Sequence, residues 1–203
     1  MYLPPAFEVT DRAWIAELIE RHPFGLLVTS ESAYPRASHL PIVAQAVDDG
    51  LRLVGHVAAA NPHAESIRAG SPATIVFQGA HAYVSAAWYE QPYETVPTWN
   101  YTAVHVNGRL RECDAREALE LLAERVEGNA PGAWDPAKLD SGYLANQLRG
   151  IVAFELRSER VLAKAKLSQN RTQADRRRVI ARLVASSDQT ERECGEAMLG
   201  GPP

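Results

Sequence analysis

Phe77-Gln78-Gly79-Ala80-His81-Ala82-Tyr83-Val84-Ser85-Ala86-Ala87-Trp88-Tyr89, followed after a short linker by Val96-Pro97-Thr98-Trp99-Asn100-Tyr101, is the stretch on which the reading of this chain turns. It holds two of the four tryptophans and three of the seven tyrosines, together with a histidine, a glutamine and an asparagine. Apolar alternation leads in through Ile75 and Phe77 and out through Tyr101, Ala103 and His105, so both flanks read as strands. Pro92 and Pro97 cannot continue a hydrogen-bonded ladder, which makes the linker a long hairpin loop. Flat aromatic faces beside amide and imidazole groups suit a planar heteroaromatic ligand that is both stacked and hydrogen-bonded. Aromatic strand corners also fill ordinary cores, and composition leaves the two readings open.

Working outward, the preceding segments are short. Asp11 or Thr10 caps a predicted helix carrying Trp14, Ile15, Leu18 and Ile19 and ending before Pro23. Phe24 to Thr29 is a first strand, closed by the turn Ser30-Glu31-Ser32, and Arg36 to Val43 a second with a polar centre. After the turn signal Asp48-Asp49-Gly50, a third strand covers Leu51 to Val57. Asn61-Pro62 opens a short helix, His63 to Arg68, whose N-terminus offers N–H groups to an anion. Strands from Ala73 to Val84 and from Asn100 to Leu110 follow. This spacing predicts a mainly β fold with helices (α+β), built as a small antiparallel barrel.

Beyond Cys113 helical spacing takes over, with Leu119, Leu122 and Val126 in 115–127, a break at Gly128-Asn129-Ala130-Pro131-Gly132, and a second helix through Tyr143, Leu144 and Leu148. Ile151 to Leu156 reads as the last strand, and helices around Arg176–Ala185 and Asp188–Leu199 close the chain. The expected division is a main domain over 1–170 and a helical C-terminal extension over 171–203.

At 203 residues and 46% hydrophobic content the chain can bury a real core. A net charge of −4 gives no general attraction to nucleic acid or anionic membranes. Cys113 and Cys194 form no metal or disulfide framework, and no apolar run approaches bilayer-spanning length. Met1-Tyr2-Leu3-Pro4-Pro5 lacks the basic-then-apolar pattern of an export signal, so the expected location is the cytoplasm. His22, His39, His56, His63, His81 and His105 show no metal-ligand spacing, and the site is expected to hold no metal. Nucleophile elbows and Gly-rich phosphate loops are missing. Arg36 and Ser38, two residues apart, share a strand face and read as a phosphate grip, with Asn61-Pro62-His63 as a possible neighbour. Arg176-Arg177-Arg178 reads as a solvated helix face before it reads as a DNA contact.

Met1-Tyr2-Leu3-Pro4, His39-Leu40-Pro41, Gly55-His56-Val57-Ala58-x-Ala60-Asn61-Pro62-His63, Phe77-Gln78-Gly79-x-His81-Ala82-Tyr83, Val96 to Tyr101, and Lys166-Leu167-Ser168-Gln169-Asn170-Arg171 together resemble the PaiB family of FMN-binding negative transcriptional regulators. The resemblance covers nearly the whole chain. It implies an FMN-binding split β-barrel and a homodimer with flavin at the subunit interface. Carried across, Arg36, Ser38 and His39 with His56, Asn61 and His63 surround the ribityl phosphate, and Leu40 is a further cofactor-binding candidate. Gln78, His81, Trp99 and Asn100 are candidates around the ring, and Lys166, Gln169 and Asn170 come from the C-terminal segment. The sequence departs from the family pattern at Ala80 and Ala86-Ala87, while Ser38 keeps the hydroxyl of a commoner threonine. A regulator acting on DNA or through a protein partner is the first functional expectation, and an FMN-dependent oxidoreductase using NAD(P)H is the alternative. An exposed corner carrying Trp88, Tyr89 and Trp99 adds its own reason to expect a dimer.

Overall fold

The structure, a computed structural model, describes residues 1–31, 33–48, 50–128, 130 and 132–201. The expected turns through Ser32 and Asp49, and the helix break where it crosses Asn129 and Pro131, lie outside the described residues. In chain order the described residues form β1 (Glu8–Val9), α1 (Arg12–Arg21), β2 (Phe24–Thr29), β3 (Arg36–Pro41), β4 (Val43–Val47), β5 (Gly50–Ala58) and α2 (His63–Arg68). The long strands β6 (Pro72–Val84) and β7 (Thr98–Glu112) come next, then α3 (Ala115–Glu127), α4 (Ser141–Arg149), β8 (Ile151–Lys166), α5 (Gln173–Val184) and α6 (Gln189–Gly200). The strands make one eight-stranded sheet in the order β3-β2-β6-β7-β8-β5-β4, with β1 on β8. Contacts divide the chain into two compact units whose boundaries fall at the end of α1 and inside β6, β7 and β8.

One unit comprises Met1–Arg21, Gln78–His105 and the chain from Leu162 onward. Asp11 caps α1 by accepting the Trp14 N–H at 2.8 Å, and the helix buries Ile15, Leu18 and Ile19 as its periodicity predicts. Helices α5 and α6 pack on each other through Val179, Leu183, Cys194 and Met198, all fully buried. Thr172 and Asp188 cap them, accepting from Asp175 N and Glu191 N. Asp175 reaches back to accept the Glu90 N–H at 2.8 Å, which ties down the loop after β6. Tyr89, expected on an exposed corner with Trp88 and Trp99, is instead buried, with the Arg171 guanidinium 4.6 Å from its ring centroid.

The other unit comprises His22–Phe77 and Val106–Val161. Its sheet register is antiparallel throughout the pairs β2–β3, β2–β6, β4–β5 and β5–β8. Leu27, Leu53, Ile75, Phe77, Phe154 and Leu156 make its core. The expected second strand, Arg36 to Val43, is two strands. Pro41 still opposes Phe24 on β2, but Ile42 leaves the ladder and donates its N–H to Pro23 O at 2.9 Å, so that Val43 opens a new pairing with β5. The last strand runs ten residues past the expected end at Leu156. On α3 the buried residues are Ala118 and Ala123, with Val126 exposed, because small side chains let the helix settle close to Val54 and Ala153. Arg52 crosses from β5 to α3, donating to Glu155 Oε2 at 2.6 Å and to Glu117 Oε1 at 2.8 Å. That hydrogen bond raises the Arg52 pKa and lowers that of Glu155 from its ordinary value.

Gly108 on β7 is a point of close approach. A Cβ there would lie 2.2 Å from Arg157 O and 2.9 Å from Leu156 Cδ2. Backbone oxygen cannot rotate away, so Gly108→Ala is expected to destabilise the protein by about 2 kcal/mol, within the range for overpacked cores. Urea unfolding measures this, and an unchanged midpoint would contradict the close strand contact.

Candidate functional site

The pleat of β3 sorts its candidates. Arg36, Ser38 and Leu40 lie on one face, partly to fully buried, while Ala37 and His39 point outward. Leu40 belongs to the core, and His39 stacks on the exposed Phe24 ring, 6.0 Å between centroids at 18°. The strand thus separates His39 from the Arg36–Ser38 pair it was expected to join.

Ser38 meets the segment before α2. Its Oγ is 2.8 Å from His63 Nδ1 and 3.3 Å from Asn61 Nδ2, and Asn61 Oδ1 accepts the His63 main-chain N–H at 2.9 Å. The expected free N–H groups at this helix start are not free. Ala64 N donates to Asn61 O at 2.8 Å and Glu65 N to Pro62 O at 3.2 Å, so the anion-binding capacity here rests on side chains. His63 is fully buried, and its Nε2 has no hydrogen-bond partner. Arg36 Nη1 is likewise buried without a partner, while Nη2 pairs with Glu31 Oε2 at 3.3 Å. Burial, reinforced by the Arg36 guanidinium, pushes the His63 imidazole below its ordinary range; Glu31 and the Arg36 main chain oppose the shift. His56, on β5, is half-buried and shifted the same way by burial. Glu31, expected only as part of the turn after β2, thus supplies the counter-charge of the guanidinium, and its place five residues before Arg36 is the local signal for it.

In the unit containing residues 78–105, the alternation of β6 changes phase. Gly79 and Ala80 are both buried, after which Ala82 and Val84 face inward. A one-residue shift of this kind turns every later side chain over. Gln78, before the shift, is exposed, and the shift then leaves His81 half-buried and Tyr83 outward. The His81 and Trp99 rings stack 6.0 Å apart at 25°, and Tyr83 tilts against Trp99 at 6.1 Å. Trp99 is 48% exposed, so this cluster is a surface and not a core.

Asn100 points the other way. It is fully buried, with Nδ2 donating to Ser168 Oγ at 3.0 Å and lying 3.3 Å from Met198 Sδ. Lys166 Nζ donates to Thr98 Oγ1 and to Trp99 O, the latter at 2.8 Å. Burial, then Lys164 and Arg171, lower the Lys166 pKa from its ordinary value. Gln169 closes its own turn, accepting from Leu167 N at 2.6 Å and donating to Ala165 O, while Asn170 is exposed. Lys164, not singled out from the sequence, is buried between the Tyr2 and Tyr101 rings, with Nζ donating to Tyr2 O at 3.0 Å. Its period-two spacing from Lys166 was the available signal.

Of the basic run, Arg176 donates to Met198 O at 2.7 Å, Arg177 to Gln173 at 3.2 Å and Arg178 to Glu90 at 3.2 Å. Burial pushes the Cys113 thiol up to about 11 and Cys194 up to about 12, so neither is a thiolate near neutral pH. Among the described residues no helix is long and apolar enough to cross a membrane.

Comparison with known proteins gives the geometry its context. Residues 1–160 match the family described as "Putative FMN-binding domain". Protease synthase and sporulation protein PAI 2 of Bacillus subtilis is 37% identical over 98% of this chain and 96% of its own. An uncharacterized protein of Aspergillus fumigatus is 28% identical over 89% of both chains. Among solved structures, the FAD and heme binding protein of Mycobacterium smegmatis superposes with a TM-score of 0.61 at 18% identity, over 78% of this chain and 73% of that one. The flavocytochrome Anf3 of Azotobacter vinelandii does so with a TM-score of 0.61 at 14% identity, over 78% and 68%. At those identities the likeness speaks to fold alone, and the fold is the split β-barrel that the family resemblance implies. With the family matched over most of the chain and a relative aligned almost end to end, this protein is a member of the PaiB-like FMN-binding family.

Proposed function

We propose that the protein is a cytoplasmic, homodimeric FMN-binding regulator of the PaiB type, with the FMN phosphate held by Arg36, Ser38 and His63. The observation that carries this is the pair of buried nitrogens, Arg36 Nη1 and His63 Nε2, left without partners beside the Ser38 hydroxyl. Buried donors without acceptors are rare in folded proteins and point to a missing acceptor. A phosphate monoester supplies several acceptor oxygens and a charge that matches a guanidinium. His56, on the neighbouring strand β5, is a further candidate in this unit.

Within its own unit, the exposed stack of His81 and Trp99, with Gln78 on the same strand as His81, is an aromatic face suited to a flat ring. Lys166, Gln169 and Asn170 stay as cofactor-binding candidates on the family pattern. When bound, FMN supplies reversible one- and two-electron transfer. The name of the Bacillus relative supports an output in protease synthesis and sporulation control. A protein partner suits that output better than direct DNA contact, given a net charge of −4 and a basic run already engaged in side-chain hydrogen bonds. The second reading, an FMN-dependent oxidoreductase, draws on the openness of the same aromatic face, which would admit a flat second substrate.

Absorbance titration and sedimentation test the proposal together. FMN is expected to bind at least about tenfold tighter than riboflavin, the usual worth of one charge-assisted contact, to a species of dimeric mass. Equal affinities would remove the phosphate site, and a monomer at micromolar concentration would remove the dimer. Rapid bleaching of bound FMN by NADH or NADPH without oxygen would move the function to the oxidoreductase.

A further inference from the structure

The hydrogen bonds around His63 have a direction, and it can be read from one obligate donor. A main-chain N–H can only donate, so the Asn61 atom facing His63 N at 2.9 Å is the amide oxygen. The other amide atom, facing Ser38 Oγ at 3.3 Å, is therefore the NH2 group, and Ser38 accepts from it. The remaining bond, 2.8 Å from Ser38 Oγ to His63 Nδ1, can run either way in principle. If Nδ1 carried the proton, Ser38 would accept two N–H groups, and its own hydrogen would have no acceptor among the described hydrogen bonds. If Ser38 donates, Oγ and Nδ1 are both satisfied, and the single proton of a neutral ring sits on Nε2. That leaves His63 Nε2–H and Arg36 Nη1–H buried without a hydrogen-bond partner, with the Arg36 main-chain carbonyl also beside the imidazole ring.

We infer that Asn61 is a positioning residue: through Ser38 it fixes His63 in the tautomer that presents Nε2–H, giving the site a neutral donor beside the Arg36 cation. This rests on the phosphate reading above and deepens it, since Asn61 then acts on the ligand through two other side chains and not by contact. The ligand class it selects is a phosphate monoester whose oxygens only accept. A neutral isostere with a hydroxyl in place of phosphate gains little from two fixed donors.

The test separates the chain from the ligand. In protein labelled with 15N-histidine, long-range proton–nitrogen correlation reads the His63 tautomer directly without any flavin, and a His63→Asn sample identifies the resonances. The expected pattern at neutral pH is a protonated Nε2 and an unprotonated Nδ1. A protonated Nδ1, or both nitrogens protonated, overturns the inference whatever any variant does. Asn61→Asp places a carboxylate where the amide donated, so Ser38 turns its hydrogen toward residue 61 and His63 Nδ1 must donate. The tautomer is expected to reverse, with FMN and inorganic phosphate weakened about tenfold or more and riboflavin changed less than about threefold. An unreversed tautomer in Asn61→Asp would show that Asn61 does not set it. Should the wild type show protonated Nε2 while FMN, riboflavin and phosphate binding all ignore Asn61→Asp, the hydrogen-bond chain stands and the phosphate assignment falls.

Discussion

Arg36→Ala is expected to weaken FMN binding about 100-fold while changing riboflavin affinity less than about threefold, because a charge-assisted bidentate contact is worth roughly 3 kcal/mol. Only FMN carries the dianion, so the ratio of the two losses isolates the phosphate. Glu31 supplies the control. It pairs with Arg36 Nη2 at 3.3 Å and is partly exposed, so it competes with any anion for the guanidinium. If Arg36 serves only to hold its hairpin through Glu31, Glu31→Ala should mimic Arg36→Ala. If Arg36 serves a phosphate, Glu31→Ala should tighten FMN a few-fold by removing a nearby negative charge, the scale of a partly exposed ion pair. Losses of equal size for FMN and riboflavin in Arg36→Ala would take Arg36 out of the phosphate site.

The split-barrel elements were legible where punctuation and period agree. The bounds of β2 and α2 fall at the expected residues, since Pro23, the polar turn after Thr29 and Asn61-Pro62 mark them locally. The corner at Ile42 was not legible: His39-Leu40-Pro41-Ile42-Val43 is a continuous strand-like run, and only the exchange of partners from β2 to β5 breaks it. The far half of β8 was hidden for a similar reason. Arg157-Ser158-Glu159-Arg160 carries no apolar alternation to extend the strand, whereas Leu51 N–H donates to Ser158 Oγ at 2.9 Å and Asn107 to Arg160 O, bonds supplied from distant segments. In the candidate site the residue types came through, but their faces did not. His39 and Asn100 follow from strict alternation once each strand's inward parity is known, and that parity depends on burial no local window reports. The Ser38–His63 bond spans 25 residues: Asn61-Pro62-His63 is expected near the Arg36–Ser38 pair from its anion-binding chemistry, but the bond itself is not.

Asn100→Leu is expected to destabilise the protein by about 3 kcal/mol, the sum of a lost buried hydrogen-bonded pair and an orphaned hydroxyl. Asn100 sits fully buried between Ser168 and Met198, and its amide both donates to Ser168 Oγ and accepts from it, at 3.0 and 3.2 Å. Leucine has the same number and branching of side-chain heavy atoms, so no cavity opens, and the effect reports lost polarity together with the bulk of two methyl groups. Ser168 also has φ of 63°, a left-handed conformation that costs a serine roughly 1 kcal/mol and is tolerated here because the surrounding bonds fix it. The two facts give a sign test. In the parent protein Ser168→Gly relieves the backbone but orphans the Asn100 amide, for a net loss of about 1 kcal/mol. In the Asn100→Leu background the hydroxyl has no partner to lose, so Ser168→Gly removes an orphan and the strain together and should recover about 1–2 kcal/mol. Urea unfolding of the four proteins measures the cycle. FMN titration of folded Asn100→Leu assigns the role: affinity within about threefold of the parent marks Asn100 as a brace for the turn at Ser168. A tenfold loss would return it to the contacts of the flavin ring, and additive stability changes without the reversal of sign would break the argument from Ser168.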